Sequence, residues 1–183
     1  KNISSITKPN FPLTIYDTPG LELDAKKQNT LREDVFDLIE KQAKKNDFNE
    51  AIHCIWYCIN CESKRIEEAE DRFIKQFTND SRLGTIPVIL ILTQCYDDKV
   101  RDQMINKIKK KKMSIRQIVP VVAKERKMSI CGNSITIPSY GLDTLIEVME
   151  NCLPEILHHT LQNVQIASIK RKRKCAIAAI ATA

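Results

Sequence analysis

The sequence lacks a secretory signal and lacks any segment long enough to cross a membrane. Spanning a bilayer takes about 20 apolar residues, and the apolar run at 175–183 offers fewer than half of that number. The seven cysteines are odd in number and scattered over predicted strands and helices, so they form no disulfide framework. The sequence therefore predicts a protein of a reducing compartment, the cytoplasm.

The basic runs lack the interleaved aromatic residues that a single-strand nucleic-acid binder uses. The net charge is +6, but much of it sits in two short runs, Lys109–Lys112 and Lys170–Lys174. Such runs are typical of solvated helix faces. We therefore expect no nucleic-acid partner. The content of 43% apolar and 28% charged residues in a chain of 183 is that of a globular chain, with one domain as the expectation.

Short apolar runs alternate with helical patterns along the first 157 residues. The apolar runs predict strands that are buried on both faces. Between them, apolar residues that recur at helical spacing predict helices, and Asn29 or Thr30 is the predicted cap of the first helix. This alternation predicts an α/β fold, three-layered, with a mainly parallel sheet and helices on both faces. Ligands of such sheets bind beyond the carboxyl ends of the strands. The four predicted strands are 11–16, 51–59, 86–92 and 117–123.

The pattern changes after Leu153, and we place a domain boundary near residue 157. Residues 158–183 form a C-terminal extension that is first helical, then basic and finally apolar. A basic run beside an apolar run is typical of a segment next to a membrane. A helical connector to a further domain is the equal alternative. Both ends look cut, so we expect a fragment of a longer gene product.

The sequence Asp17-Thr18-Pro19-Gly20 directly follows the first predicted strand. A nucleotide switch needs a carboxylate here that can hold Mg²⁺, and a glycine whose N–H can approach a γ-phosphate. The segment from Gly20 to about Asn29 would then be the mobile switch. The alternative is a simple tight turn, because aspartate, proline and glycine are favoured in turns.

Two further groups of residues follow later strands. Thr93 and Gln94 could brace and cover a nucleotide base, and a carboxylate two residues further on would read its edge. That position holds Tyr96, with Asp97 one residue late, and a helix cap is the equal alternative for this segment. Ala123 and Lys124 follow the last strand, where a small residue and a lysine stem could close a base pocket.

Together these motifs resemble those of the Ras-like GTPases, and most closely bacterial Era-like GTPases with a hydrophobic C-terminal region. The similar segments are PLTIYDTPGLEL, IHCIWYCIN, PVILILTQCY, IVPVVAKE and GLDTL, within residues 1–157. The resemblance implies the G-domain fold of P-loop NTPases. It also implies GTP or GDP with Mg²⁺ as ligands, Asp17 on the metal and Gly20 on the γ-phosphate. Thr93, Gln94, Asp97, Ala123 and Lys124 would lie around the guanine.

Three departures separate the chain from that family. The sequence has no GxxxxGK[ST], the loop that cradles the β- and γ-phosphates, so the domain lacks its first strand and helix. Tyr96 replaces the carboxylate that reads guanine. Leu21 follows Gly20 where many small GTPases have a glutamine that orients water, so we name no catalytic residue.

We therefore expect a GTP-binding molecular switch that hydrolyses GTP in the intact protein, with this fragment impaired in nucleotide binding. The alternative is a non-hydrolysing interaction module that keeps the fold without the nucleotide chemistry. The expected partners are a guanine nucleotide, an effector protein and a membrane contacted by the C-terminal extension.

Overall fold

The computed structural model describes residues 3–8, 11–20, 24–130 and 133–154. Leu21, the boundary near 157 and the C-terminal extension lie outside these residues. The elements are β1 (Ser4–Lys8), β2 (Phe11–Asp17), α1 (Ala25–Ala43), β3 (Ile55–Asn60), α2 (Glu68–Thr78), β4 (Val88–Thr93), α3 (Asp98–Lys110), β5 (Gln117–Val121), β6 (Arg126–Ile130), β7 (Asn133–Ile137) and α4 (Leu142–Glu150).

The centre of the molecule is a parallel sheet in the order β3-β4-β5. Asn60 lies opposite Thr93, and Thr93 lies opposite Val121, so the three strands end at one edge. We call this the carboxyl edge and the opposite one the amino edge. The predicted mixed α/β architecture with a parallel sheet is confirmed.

Helices cover both faces of this sheet. Successive side chains of β4 point to opposite faces, so each face has apolar side chains against which a helix packs. Leu90 and Leu92 pack in a cluster with Ile74 of α2 and with Met104 and Ile108 of α3. Ile89 and Ile91 point the other way, toward Leu145 and Val148 of α4. The first three residues after Val88 are 0%, 0% and 3% exposed, which explains why this strand had the strongest apolar signal.

The prediction of one mainly parallel sheet is wrong for the other described strands. β2 pairs antiparallel with β1, and β6 pairs antiparallel with β7, each in a separate two-stranded sheet. The β6–β7 hairpin was not predicted from the sequence. β2 therefore forms its ladder with a local partner and forms none with β3, so β3 is an edge strand.

The predicted start of α1 is also wrong, for a local reason. The helix begins at Ala25, because the Asp24 carboxylate accepts a hydrogen bond from the Lys27 N–H at 2.9 Å and so caps it. Asn29 and Thr30 lie inside the helix, where the Thr30 hydroxyl donates to the Lys26 carbonyl. Aspartate is a common N-cap residue, so Asp24 could have been predicted from the sequence as the start of this helix.

β3 is less covered than its apolar sequence predicted. Ile59 is buried, but Trp56 is half-buried and Cys58 is exposed. Trp56 lies on the face covered by α4, and Cys58 shares that face because it lies two residues further along the strand. The indole N–H of Trp56 is buried and has no hydrogen-bond partner among the described residues. β3 thus combines an unpaired edge with a thinly covered face.

Candidate functional site

The loops that follow β4 and β5 meet at the carboxyl edge, and Tyr140 joins them. Its backbone N–H and C=O exchange hydrogen bonds with Val122, each at 3.0 Å. Its hydroxyl donates to the Cys95 carbonyl at 2.8 Å. One residue therefore fixes the segment after β4 against the segment after β5. No sequence motif had indicated Tyr140.

Gly141 allows Tyr140 to lie this close to β5. Its φ is +83°, and a Cβ added there would collide with the Pro120 carbonyl oxygen and lie 3.1 Å from the Val121 Cα. Only glycine fits a left-handed position pressed against another backbone. Gly141 is also the residue from which α4 starts.

Thr93 and Gln94 occupy the end of the central strand. The Thr93 hydroxyl donates to the carbonyl of Ile59 on the neighbouring strand β3 at 3.3 Å. Gln94 is exposed and has a φ of +55°, unusual for a residue with a side chain. Its carbonyl accepts a hydrogen bond from the Tyr96 N–H at 2.9 Å. This tight turn leaves the Gln94 side chain at the surface of the edge.

Two buried thiols, those of Cys95 in this turn and Cys61 after β3, belong to the apolar cluster at this end of the sheet. Cys95 is 1% exposed, and its thiol donates to the Leu92 carbonyl at 3.2 Å. Cys61, after β3, is also 1% exposed and belongs to the same apolar cluster. Burial, with a smaller effect from Cys95, raises the pKa of Cys61 to about 12. Both thiols are therefore protonated packing groups at neutral pH.

Tyr96 contributes to contacts between the loops at this edge. The Arg126 guanidinium lies 4.4 Å from the centre of the Tyr96 ring, a cation–π geometry. The same guanidinium lies 3.9 Å from the Glu62 carboxylate, just after β3. Arg126 therefore links residues that follow three neighbouring strands. It was missed from the sequence, where it looks like any other surface arginine.

Asp97 caps α3, as the helix-cap alternative predicted. One of its carboxylate oxygens accepts a hydrogen bond from the Val100 N–H at 3.0 Å. The side chain is exposed, so its second oxygen faces solvent beside the edge. Its role toward a nucleotide base stays a prediction.

Ala123 and Lys124 follow β5 directly and are both exposed at the carboxyl edge. Lys124 has no ion-pair partner within the described ranges. Because Tyr140 holds Val122 and Cys95 together, these two residues border the same surface as Thr93 and Gln94. The structure therefore brings together the two groups of residues that the sequence analysis assigned to one pocket.

Asp17 and Gly20 lie at and just after the end of β2, outside the parallel sheet. Both are exposed, and a Cβ added to Gly20 would meet no atom within 4 Å. Burial raises the pKa of the Cys58 thiol, and the Asp17 charge adds to the increase, so the end of β2 lies near β3. In the part of the chain that is described, no hydrogen bond or ion pair joins Asp17 to the loops after β4 and β5.

The hairpin that carries Asp17 is attached to α1. The Gln42 amide donates to the Tyr16 hydroxyl, and Tyr16 also lines a cleft between the hairpin and the helix. This cleft is lined by Ile3, Ser5, Tyr16, Asp34, Asp37, Leu38 and Lys41. Within residues 3–8, 11–20, 24–130 and 133–154, no group of three or more histidine, cysteine or acidic side chains could hold a metal ion.

No family model matches the chain, and no curated protein matches it. Over the residues that the structure describes, no helix is both long enough and apolar enough to cross a membrane.

Proposed function

We propose that this chain is the base-binding part of a GTP-dependent molecular switch, a Ras-like G domain whose intact protein hydrolyses GTP. The observation that carries the proposal is the junction at Tyr140. It brings the residues after β4 and those after β5 to one edge of a parallel sheet, as the GTPase resemblance requires. Ligands of parallel sheets bind at this edge.

The geometry of the edge supports a flat ligand. Gln94 is held in a left-handed turn with its side chain in solvent, and Lys124 is exposed on the neighbouring loop. A backbone held in a sparsely populated conformation costs about 1–3 kcal/mol and is common at binding sites. The two stems would lie against the faces of a purine, while the Ala123 N–H would meet its carbonyl oxygen.

The phosphate half of the site would come from a strand, loop and helix that this sequence does not contain. β3 supports this part of the proposal, because no described strand pairs with its outer edge and because Trp56 is half-buried and Cys58 exposed on one face. A strand followed by a helix would pair with that edge and pack on that face. The loop between them would supply the glycine-rich phosphate cradle, with Asp17 near the metal and Gly20 near the γ-phosphate.

A second candidate is the non-hydrolysing interaction module, and Tyr96 and Asp97 favour it. The Tyr96 ring lies under Arg126 at the position where the resembled family reads guanine. The Asp97 carboxylate caps α3. Both side chains thus have a contact within the domain, so base selectivity is the point on which the two candidates differ.

The deciding experiment is a nucleotide titration of the intact gene product with and without Mg²⁺. The switch predicts Mg²⁺-dependent binding of GTP in preference to ATP. Lys124→Gln should weaken GTP binding by about tenfold, since one such contact is worth roughly 1.4 kcal/mol. Lys127→Gln, an exposed lysine on β6, is the matched control and should bind as the wild type does. Binding of neither nucleotide would support the interaction module.

The same titration on the present chain tests the need for the phosphate loop. Each charge-assisted hydrogen bond to a phosphate is worth about 1.5–3 kcal/mol, so the chain alone should bind GTP weakly. Submicromolar, Mg²⁺-dependent binding by these 183 residues would contradict the proposal. A preference for ATP in the intact protein would point to Tyr96 as the residue that changes base selectivity.

A further inference from the structure

The amino edge of the sheet carries exposed lysines that form no ion pair with any described residue. Lys109, Lys110 and Lys112, at the end of α3 and just beyond it, are exposed. Within the described ranges none of the three forms an ion pair, whereas the neighbouring Lys111 pairs with Asp71 at 2.9 Å. Lys109 and Lys110 lie in the last turn of α3, where positive charge also stabilises the helix, and both side chains remain exposed to solvent.

The segment after α3 returns to the amino edge and adds a fourth positive charge. The Arg116 N–H donates to the carbonyl of Val88, the first residue of β4, at 2.7 Å. Its side chain is exposed. Lys109, Lys110, Lys112 and Arg116 therefore form one basic patch at this edge, which we call the amino-edge patch.

The chain leaves the folded domain at the same edge. Cys152, after α4, packs with Cys54 and Trp56 at the beginning of β3. The Arg116 charge acts on the Cys152 thiol and lowers its pKa against the larger raising effect of burial. The residues that lead into the C-terminal extension thus lie beside the amino-edge patch.

The extension continues with charge of the same sign. The run Lys170–Lys174 follows Pro154 after an intervening stretch, 155–169, and the apolar run 175–183 follows directly. A polybasic run beside apolar residues is attracted to an anionic lipid surface. The patch and this run together match such a surface in charge, and the apolar run gives a reason to favour lipid over nucleic acid.

We propose that the amino-edge patch is a docking surface for an anionic phospholipid bilayer. It would hold the domain with its amino edge against the lipid and its carboxyl edge toward the solvent. The patch binds lipid headgroups through charge rather than by inserting into the bilayer. This inference does not depend on nucleotide binding.

The test is sedimentation of the full 183-residue chain with vesicles of phosphatidylcholine alone or mixed with phosphatidylglycerol. At about 0.1 M salt the screening length is ~10 Å, so only charges near the lipid contribute. Each basic side chain near an anionic surface contributes roughly fivefold to binding. Lys109→Gln/Lys112→Gln should therefore reduce partitioning onto the anionic vesicles by roughly 25-fold.

The matched control is Lys99→Gln/Lys127→Gln, which removes two exposed lysines outside the amino edge. It should leave partitioning unchanged, and thermal unfolding should show that both variants are folded. Equal losses in the two variants, or no loss in the patch variant, would overturn the proposal. So would equal binding to pure phosphatidylcholine, which would assign binding to the apolar run alone. A patch-dependent affinity for polyuridylate with no vesicle binding would replace lipid by nucleic acid.

Discussion

Replacement of Gly141 by alanine should destabilise the protein more than any other glycine replacement in the described part of the chain. The added methyl group would collide with the Pro120 carbonyl oxygen and lie 3.1 Å from the Val121 Cα. Both atoms belong to the backbone of β5, so no side-chain rotation can relieve the contact. The strand or the start of α4 would have to shift.

Two terms set the size of the effect. Holding alanine at a φ of +83° costs about 1–2 kcal/mol. Forcing a methyl group into a packed region costs about 1–3 kcal/mol more. Their sum, roughly 2–5 kcal/mol, is a large part of the ~5–15 kcal/mol that stabilises a typical domain.

Urea unfolding followed by circular dichroism measures the loss, and two other glycines separate the two terms. Gly84 has a φ of +59°, and an added Cβ would meet nothing within 4 Å. Gly84→Ala therefore carries a conformational cost of its own, at a φ of +59° and a ψ of −125°, without a collision with another residue. Gly20→Ala should be nearly neutral, since an added Cβ there also meets open space. The argument is refuted if Gly141→Ala unfolds no more easily than Gly84→Ala.

Three other predictions concern the edge, the pH response and the thiols. Tyr140→Phe removes a half-buried hydrogen bond and should cost about 1 kcal/mol, and hydrogen exchange should quicken in the loop after β4 but not in α2. Hydrogen bonds from Arg82 lower the pKa of Asp80 to about 2. The charged Asp80 carboxylate therefore stabilises the folded state above its unfolded pKa of about 3.9, and this contribution to the free energy of unfolding is lost as the pH falls toward 2. In the Arg82→Met variant the melting temperature should fall less steeply as the pH is lowered. The same dependence of melting temperature on pH as in the wild type would contradict this. In native alkylation read by peptide mass spectrometry, Cys58 should react before Cys61, because Cys58 is exposed while Cys61 is 1% exposed and has a pKa of about 12; the reverse order would be evidence against this packing.

The sequence by itself determined the elements whose signals are local. The apolar runs around Leu90 and Val119 predicted strands because both residues are completely buried in the parallel sheet. Asp97 was recognisable as a helix cap because its partner N–H is only three residues away. The order of the strands also predicted which residues follow them, and therefore which loops share an edge.

The tertiary structure decided the features that depend on residues far apart in the chain. β2 pairs with β1 and not with β3. The residues of β2 do not by themselves determine which of these two strands becomes its partner. Tyr140 and Arg126 became edge residues through contacts with Cys95, Tyr96 and Glu62. The periodicity of a sequence indicates on which face of its own strand or helix a residue lies. These contacts depend instead on how separate elements are arranged relative to one another. Folding alone brings those elements together.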